Sequence, residues 1–425
     1  MKVNIISKKL IKPCTPTPQN LNKYKISFLD EIGSPINLNI ILFYPPNPKP
    51  TIQSQLQESL AKILPQFYPL AGRYIQKDHL VDCNDEGAEF VEAEANDIEL
   101  IDLIAESKDH QLNDLLSRQA FDVDGSTDPL LSIQITKFKC GEFAISISVS
   151  HRIFDASSLG TFIAAWSNAN NHSDTGNTII TPSFDSPSVF PGKSPGNDVI
   201  QRPRTRDPNI VVKRLLFNKE YITNLRSKSS RVRVVSAVIA KALIGVELAK
   251  YGKSRDCYIA QPVNMRGRTI SPLPEHACGN LSAMSVAKCM DANETNEKGL
   301  DELVSMLGDA IDKTISDIAQ VLPLGEDGHD VTLGTMLRPR EILKSREVSV
   351  LLFSDWSEFG LYEADFGWGK LVWAGIGTMP RQHAMVLMDN KEGDGIEVWV
   401  HLNINDVPYF ERYLQLAEME SEACV

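Results

Sequence analysis

No stretch of the 425-residue sequence approaches the ~20 consecutive apolar residues that cross a bilayer, so no membrane span is expected. The opening MKVNIISKKLIKPCTPTPQN reaches Pro13 without the apolar core of a secretory leader, and a cytosolic protein is expected. On that expectation the sequons at Asn171, Asn280 and Asn293 carry no glycan. Positive charge is also scarce: 43 Lys and Arg stand against 55 Asp and Glu, a net charge of −12, which argues against the cationic face that a nucleic-acid partner requires. The seven cysteines (Cys14, Cys83, Cys140, Cys257, Cys278, Cys289 and Cys424) include no CxxC pair and are odd in number, so reduced thiols are expected in place of a disulfide framework. Cys424 stands second from the end of the sequence, which excludes a prenylation box. His276, Cys278 and Cys289 lack metal-ligand spacing, so no zinc is expected. No internal repeat is visible.

What is present is 42% hydrophobic residue, enough for a large core, in a chain longer than one ordinary domain of ~100–200 residues. Two α/β domains are expected, residues 1–190 and 211–425, joined by a crossover at 191–210. Between about Asn168 and Asp207 the composition turns to Ser, Pro, Asn and Asp with little periodicity, as in a long connection.

Leu56, Leu60, Ile63 and Leu64 recur at helical spacing between Gln53 and Phe67, and YPLAGR at 68–73 then ends the helix. Phe143–Ser150 alternates Phe143, Ile145, Ile147 and Val149 with Ala and Ser, a strand with one greasy and one small face. After Asp155, Leu159, Phe162, Ile163 and Trp166 return to helical spacing. In the second half IVVKRLLF, DCYIAQPVNM, EVSVLLFSDW, AMVLMD and GIEVWVHL read as strands, the last two joined by the turn NKEGDG, and a helix runs from Val232.

His151 therefore stands at a strand-to-helix junction, in SHRIFD. An imidazole with an ordinary pKa near ~6.5 can take a proton from an alcohol at cellular pH, which makes it the candidate general base; ending a strand is its bland role. Asp155, four residues on, fits three roles: orienting the imidazole, holding the loop by an ion pair, or capping the following helix. Two other strings imitate known chemistry. GKSPG at 192–196 fits GxSxG, but the residue after Ser194 is Pro195, which has no N–H for an oxyanion hole. GWGKLVWAGIG at 367–377 is glycine-rich without the spacing of a phosphate loop. Asp365–Gly369, DFGWG, reads on its own as a tight turn with Phe366 and Trp368 anchored in a core.

HRIFD and DFGWG, in this order and roughly half a chain apart, resemble the HxxxD and DFGWG motifs of the plant BAHD acyl-CoA-dependent acyltransferases. TPTPQNLNKYKISFLD, ILFYP, FYPLAGR, VDCNDEG, VNMRGR, the pair Gly279–Asn280 and LMD ending at Asp389 extend the likeness over nearly the whole chain, toward the alkaloid acetyltransferases of that family.

The resemblance implies two similar chloramphenicol-acetyltransferase-like α/β sandwich domains with a solvent channel between them, and a monomer without a permanent cofactor. It implies one-step transfer of an acyl group, most simply acetyl, from CoA to a hydroxyl, with His151 as base and no acyl-enzyme. By the same likeness Asp155 pairs with Arg266 and supports the loop, and Ser354 and Trp356 meet the oxyanion, although a core position suits Trp356 equally. Asp365, Gly367, Trp368 and Gly369 lie structurally on the CoA side. Ser229, Ser230 and Arg231, ahead of a helix, either approach CoA phosphate or simply cap that helix. Phe154, bulkier than in many relatives, is expected beside the acceptor with Leu38, Ile40 and Leu42, favouring a bulky apolar alcohol such as an alkaloid or terpenoid. Ala156 and Leu371 depart from the usual glycine and proline of the family without removing a reacting group. Benzoyl-, tigloyl- or hydroxycinnamoyl-CoA as donor, an amine acceptor, hydrolysis, and a silent metabolite-binding relative stand as alternatives.

Overall fold

The structure, a computed structural model, describes residues 1–46, 52–105, 109–122, 125–171, 180–192, 207–225, 229–269, 273–295, 298–320, 336–337, 339–343, 345 and 347–422. The chain forms two compact units: residues 1–206, 274–281 and 359–380 make the first, and 207–273, 282–358 and 381–425 the second. The division is not a single cut at the crossover. Two segments from the second half of the sequence, including DFGWG, group with the first unit.

The first unit is built on a six-stranded mixed sheet in the order Asn4–Ile11, Ala88–Ala95, Leu131–Phe138, Phe143–Ser150, Asn37–Tyr44 and Trp373–Gly375. Neighbours run antiparallel except Ala88–Ala95 with Leu131–Phe138. The strand Phe143–Ser150 takes the expected bounds, and all eight of its residues are buried. Its greasy face continues across the pairing, where Ile145, Ile147 and Val149 stand opposite Leu42, Ile40 and Leu38. Its small face is covered as well: Ser148 and Ser146 stand opposite Asn39 and Ile41, and Ser148 donates to the Arg118 carbonyl. Burial on both faces is what a central strand of a covered sheet requires.

The helix expected from Gln53 runs Ile52–Ile63, followed by a short turn of 3-10 helix over Tyr68–Ala71. Residues 180–192 are more than a bare connection. They include a helical turn at Ser186–Val189 and bridge Ser183 to Ala277 and Pro191 to Ser27. Residues 193–206, most of the expected crossover and of the GKSPG string, lie outside the described residues, as does Cys424.

The second unit holds the other six-stranded mixed sheet, in the order Ser282–Met290, Cys257–Asn264, Ser349–Asp355, Ala384–Asp389, Ile396–Asn403 and Ile210–Phe217. All five strings read as strands in the second half fall in it, and NKEGDG turns Ala384–Asp389 into its antiparallel neighbour. The helix Arg231–Tyr251 is capped by Ser230 and stopped by Gly252 in the left-handed region, φ +70°. Its Val235, Val238, Ile239, Ala242 and Leu243 share a core with Leu351, Phe353, Met385, Val398 and Val400 of the sheet. Among the described residues no helix is long and apolar enough to cross a membrane.

Candidate active site

In the first unit the strand Phe143–Ser150 ends, the chain turns through His151–Phe154, and the helix Ala156–Asn170 begins. Asp155 is the N-cap, with extended backbone (φ −93°, ψ 178°). One carboxylate oxygen accepts from the Ser158 amide and hydroxyl, both at 2.8 Å. The other accepts from the Leu281 amide at 3.0 Å. Capping was one of three roles open to Asp155 from the sequence, and the bond to Leu281 adds a long-range tie.

The imidazole of His151 has a defined tautomer. Its Nδ1 lies 2.8 Å from the Phe154 carbonyl oxygen. A carbonyl can only accept, so Nδ1 carries the hydrogen and Nε2 keeps its lone pair. The main chain of His151 is fixed too: its amide donates to the Ile36 carbonyl at 2.8 Å, and its carbonyl accepts from the Asn280 side chain at 2.8 Å.

Burial pushes the His151 pKa below its ordinary value, and the Asp155 charge, the Phe154 carbonyl and the Asn280 side chain offset this only in part. With the neutral imidazole as the base that the family likeness implies, activity is expected to fall as pH drops through this lowered pKa. The acid limb of the kcat/KM profile is therefore expected below pH ~6.5. A limb at or above that value would show a different titrating group in control.

Asn280, which bonds the His151 main chain, is a neighbour that sequence reasoning did not single out, although Gly279–Asn280 formed part of the family likeness. The strip Gly279–Leu281 is sewn to the catalytic turn along its length: Gly279 donates to Ser158, Asn280 to His151, and Leu281 to Asp155. Nothing in the local pattern HACGNLS signals this, because the partners lie more than a hundred positions away.

DFGWG is a turn, as its composition suggested. One Asp365 oxygen accepts from the Gly367 and Gly369 amides at 2.7 and 2.9 Å, and both glycines sit at positive φ, +96° and +107°, where a side chain would be strained. Phe366 packs edge-on against Trp166, with 4.9 Å between centroids, and stacks on Trp368. The Phe366 carbonyl accepts from the Asn170 side chain at 2.6 Å. Trp166 and Asn170 close the helix that Asp155 opens. The two family motifs thus hold opposite ends of one helix, and the aromatic anchoring belongs to Phe366 more than to the less buried Trp368.

The four residues expected beside the acceptor are core residues. Phe154, Ile40 and Leu42 have no exposed surface and Leu38 has 4%. Phe154 packs with Phe67 and Phe184 at centroid distances of 6.4 and 6.3 Å. The three strand positions face Val149, Ile147 and Ile145 across the pairing. A greasy strand face looks the same in sequence whether it lines a pocket or fills a core. Phe154→Ala is accordingly expected to destabilise the protein by about 3–5 kcal/mol in urea unfolding, the ordinary result of emptying a buried aromatic site; an unchanged unfolding midpoint would show that the ring carries no core packing.

In the second unit the Trp356 indole N–H donates to the Ser354 hydroxyl oxygen at 2.9 Å. The two oxyanion candidates are thus bonded to each other, and the hydroxyl hydrogen of Ser354 is the donor left for a ligand by this bond. Arg266 is 9% exposed and its guanidinium donates to the Asn264 side chain at 3.0 Å. Ser230 caps its helix by accepting from the Arg233 amide, while Ser229 precedes the cap. Arg231 pairs with Asp389 at 3.1 Å and donates to the Gly393 carbonyl at 2.8 Å, which ties the helix start to the NKEGDG turn. Burial raises the Asp389 pKa, against the pull of Arg231. A cleft of about 230 Å³ beside this pair is lined by Lys219, Ile222, Thr223, Arg231, Gly393 and Asp394.

A turn presenting an imidazole, braced by a capping aspartate and by a DFGWG turn, in a mixed two-unit α/β fold, is the arrangement that the HxxxD and DFGWG motifs of the CoA-dependent acyltransferases lead one to expect. The chain matches the Transferase family over residues 1–416 and belongs to it, the acyl-CoA-dependent BAHD transferases. It is 46% identical over 425 residues, 98% of this chain and 99% of the relative, to pelargonidin 3-O-(6-caffeoylglucoside) 5-O-(6-O-malonylglucoside) 4'''-malonyltransferase of Salvia splendens. It is 37% identical to vinorine synthase of Rauvolfia serpentina, with 93% of each chain covered. The crystal structure of vinorine synthase superposes with a TM-score of 0.81 at 34% identity, covering 96% of both chains.

Proposed function

We propose that this acyltransferase moves an acetyl group from acetyl-CoA to a hydroxyl of a bulky, largely apolar specialised metabolite, in a ternary complex and without an acyl-enzyme. The observation that carries the reading is the bond from His151 Nδ1–H to the Phe154 carbonyl, which leaves Nε2 as a base. In the transfer, Nε2 takes the proton of the acceptor alcohol as its oxygen attacks the thioester carbon. The tetrahedral oxyanion collapses, the C–S bond breaks, and the proton passes from the imidazolium to the departing CoA thiolate. A thioester is electrophilic enough that raising the nucleophilicity of the alcohol and stabilising the oxyanion are the main tasks. The Ser354 hydroxyl, positioned by the Trp356 indole, is the proposed oxyanion donor, and the cleft where Arg231 and Lys219 stand with Asp394 is the proposed seat of CoA phosphate.

The 34% identity to stemmadenine O-acetyltransferase of Catharanthus roseus supports an acetyl donor and a hydroxyl acceptor, and the motif likeness toward alkaloid acetyltransferases supports a bulky apolar alcohol. A second reading, malonyl transfer to a sugar hydroxyl of a flavonoid glycoside, is favoured by the higher identity to the Salvia splendens malonyltransferase. Thiol release from acetyl-, malonyl-, benzoyl- and hydroxycinnamoyl-CoA, each with alkaloid, terpenoid and anthocyanin-glucoside alcohols, separates the readings. Preference for malonyl-CoA with a glycoside would replace the first by the second, and turnover with none of the pairs would remove both.

A further inference from the structure

We propose that Asp30 is a positioning residue for the transfer step: its buried carboxylate holds the Asn280 amide with its nitrogen end against the His151 main-chain carbonyl, and so fixes the turn that carries the imidazole.

Asp30 closes a single helical turn, Phe28–Glu31, in the first unit, and is 3% exposed. One carboxylate oxygen accepts from the Ser27 amide at 3.0 Å and the Ser27 hydroxyl at 2.7 Å. The other accepts from the main-chain and side-chain nitrogens of Asn280 at 2.8 and 2.9 Å. The Asn280 side-chain nitrogen also donates to the His151 carbonyl at 2.8 Å. An amide NH₂ has two hydrogens, and these two acceptors take one each.

Both partners are pure acceptors, so they select the nitrogen end of the amide. The nitrogen end therefore braces the His151 main chain, and the Asn280 side chain is among the groups that hold the His151 pKa up against its burial. An amide rotated by half a turn would set its oxygen against a carboxylate and a carbonyl together. Asp30 makes that rotation unfavourable, since it would leave buried polar groups facing like partners without a hydrogen between them. Asp155 supplies the nearby charge on the imidazole. Asp30 acts one step removed, by holding Asn280.

The inference rests on His151 as the base, and the test keeps the two apart because its main readout needs no substrate. The full chain labelled with ¹³C at histidine Cε1 is titrated by NMR, with the His151 signal identified by its loss in His151→Gln. Asp30→Asn is expected to lower the His151 midpoint by about half a pH unit. In the Asn280→Ala background the same substitution is expected to shift nothing further, the outcome that separates action through Asn280 from a direct charge effect. With the acceptor found by the donor and alcohol panel, kcat is expected to fall roughly tenfold with KM for acetyl-CoA little changed.

An unchanged midpoint in folded Asp30→Asn protein overturns the proposal, as does an equal shift with and without Asn280. Should Asp30→Asn fail to fold, Asp30→Glu, which keeps the charge but moves it by one methylene, carries the same readout. Failure of both to fold assigns Asp30 to structure alone.

Discussion

Replacing His151 with alanine is expected to slow thiol release from acyl-CoA by roughly 10²–10⁴-fold, the range in which a positioned general base acts. The fold is expected to survive, because the ring contributes one neutral hydrogen bond, to the Phe154 carbonyl, worth about 1 kcal/mol net. His151→Gln is the sharper comparison, since glutamine can keep a donor toward that carbonyl yet offers no basic nitrogen. Stopped assays of free thiol, with unfolding curves of the same preparations, make the check. Turnover within tenfold of wild type in a folded His151→Ala protein would transfer the base role to another group and remove the central assignment.

Asp155→Ala carries the second large effect, and it falls on stability and activity together. Loss of an N-cap costs about 0.5–2 kcal/mol, and the orphaned Leu281 amide adds about 1–3. A total of roughly 2–5 kcal/mol is expected in denaturant unfolding. Activity is expected to fall further than the folded fraction explains, because the strip at 279–281 that braces His151 loses one of its ties. Asp155→Asn retains one acceptor oxygen for the cap and should recover most of the stability, with less of the activity. Equal recovery of both would reduce Asp155 to a cap and nothing more.

Much of this was legible in the sequence wherever the cause was local. The strand at 143–150 was visible in its alternation, the helix from 156 in its spacing, and the cap in an aspartate placed just before the first apolar position. Periodicity registers such features because neighbouring residues share one environment. Other features have no local cause. Asp30 closes a capping box with Ser27, a local role, but its second oxygen answers to Asn280, 250 residues away. The bond from Asn280 ends on a main-chain carbonyl, a group every residue carries, so no side-chain pattern at the far end could reveal it. Phe154 shows the opposite limit. Apolar character was read correctly, but the sequence does not say whether the neighbour of an apolar ring is substrate or core, and here Phe67 and Phe184 already occupy its surroundings.

The grouping of residues 359–380 with the first unit sets an order of events during synthesis. The Tyr44 hydroxyl donates to the carbonyl of Ala364, 320 residues later, and the strand Trp373–Gly375 completes the sheet beside Asn37–Tyr44. At the ~5–20 residues per second of translation, roughly 16–64 s separate the appearance of these partners. Through that interval the emerging chain presents an open sheet edge and a helix after His151 with neither of its late braces, the strip at 279–281 or the DFGWG turn. The early half of the polypeptide is thus expected to be prone to aggregation until residues 359–380 have been made. Expression of residues 1–206 alone is expected to yield aggregate, whereas supplying the remainder in trans has to deliver two separate segments to one unit.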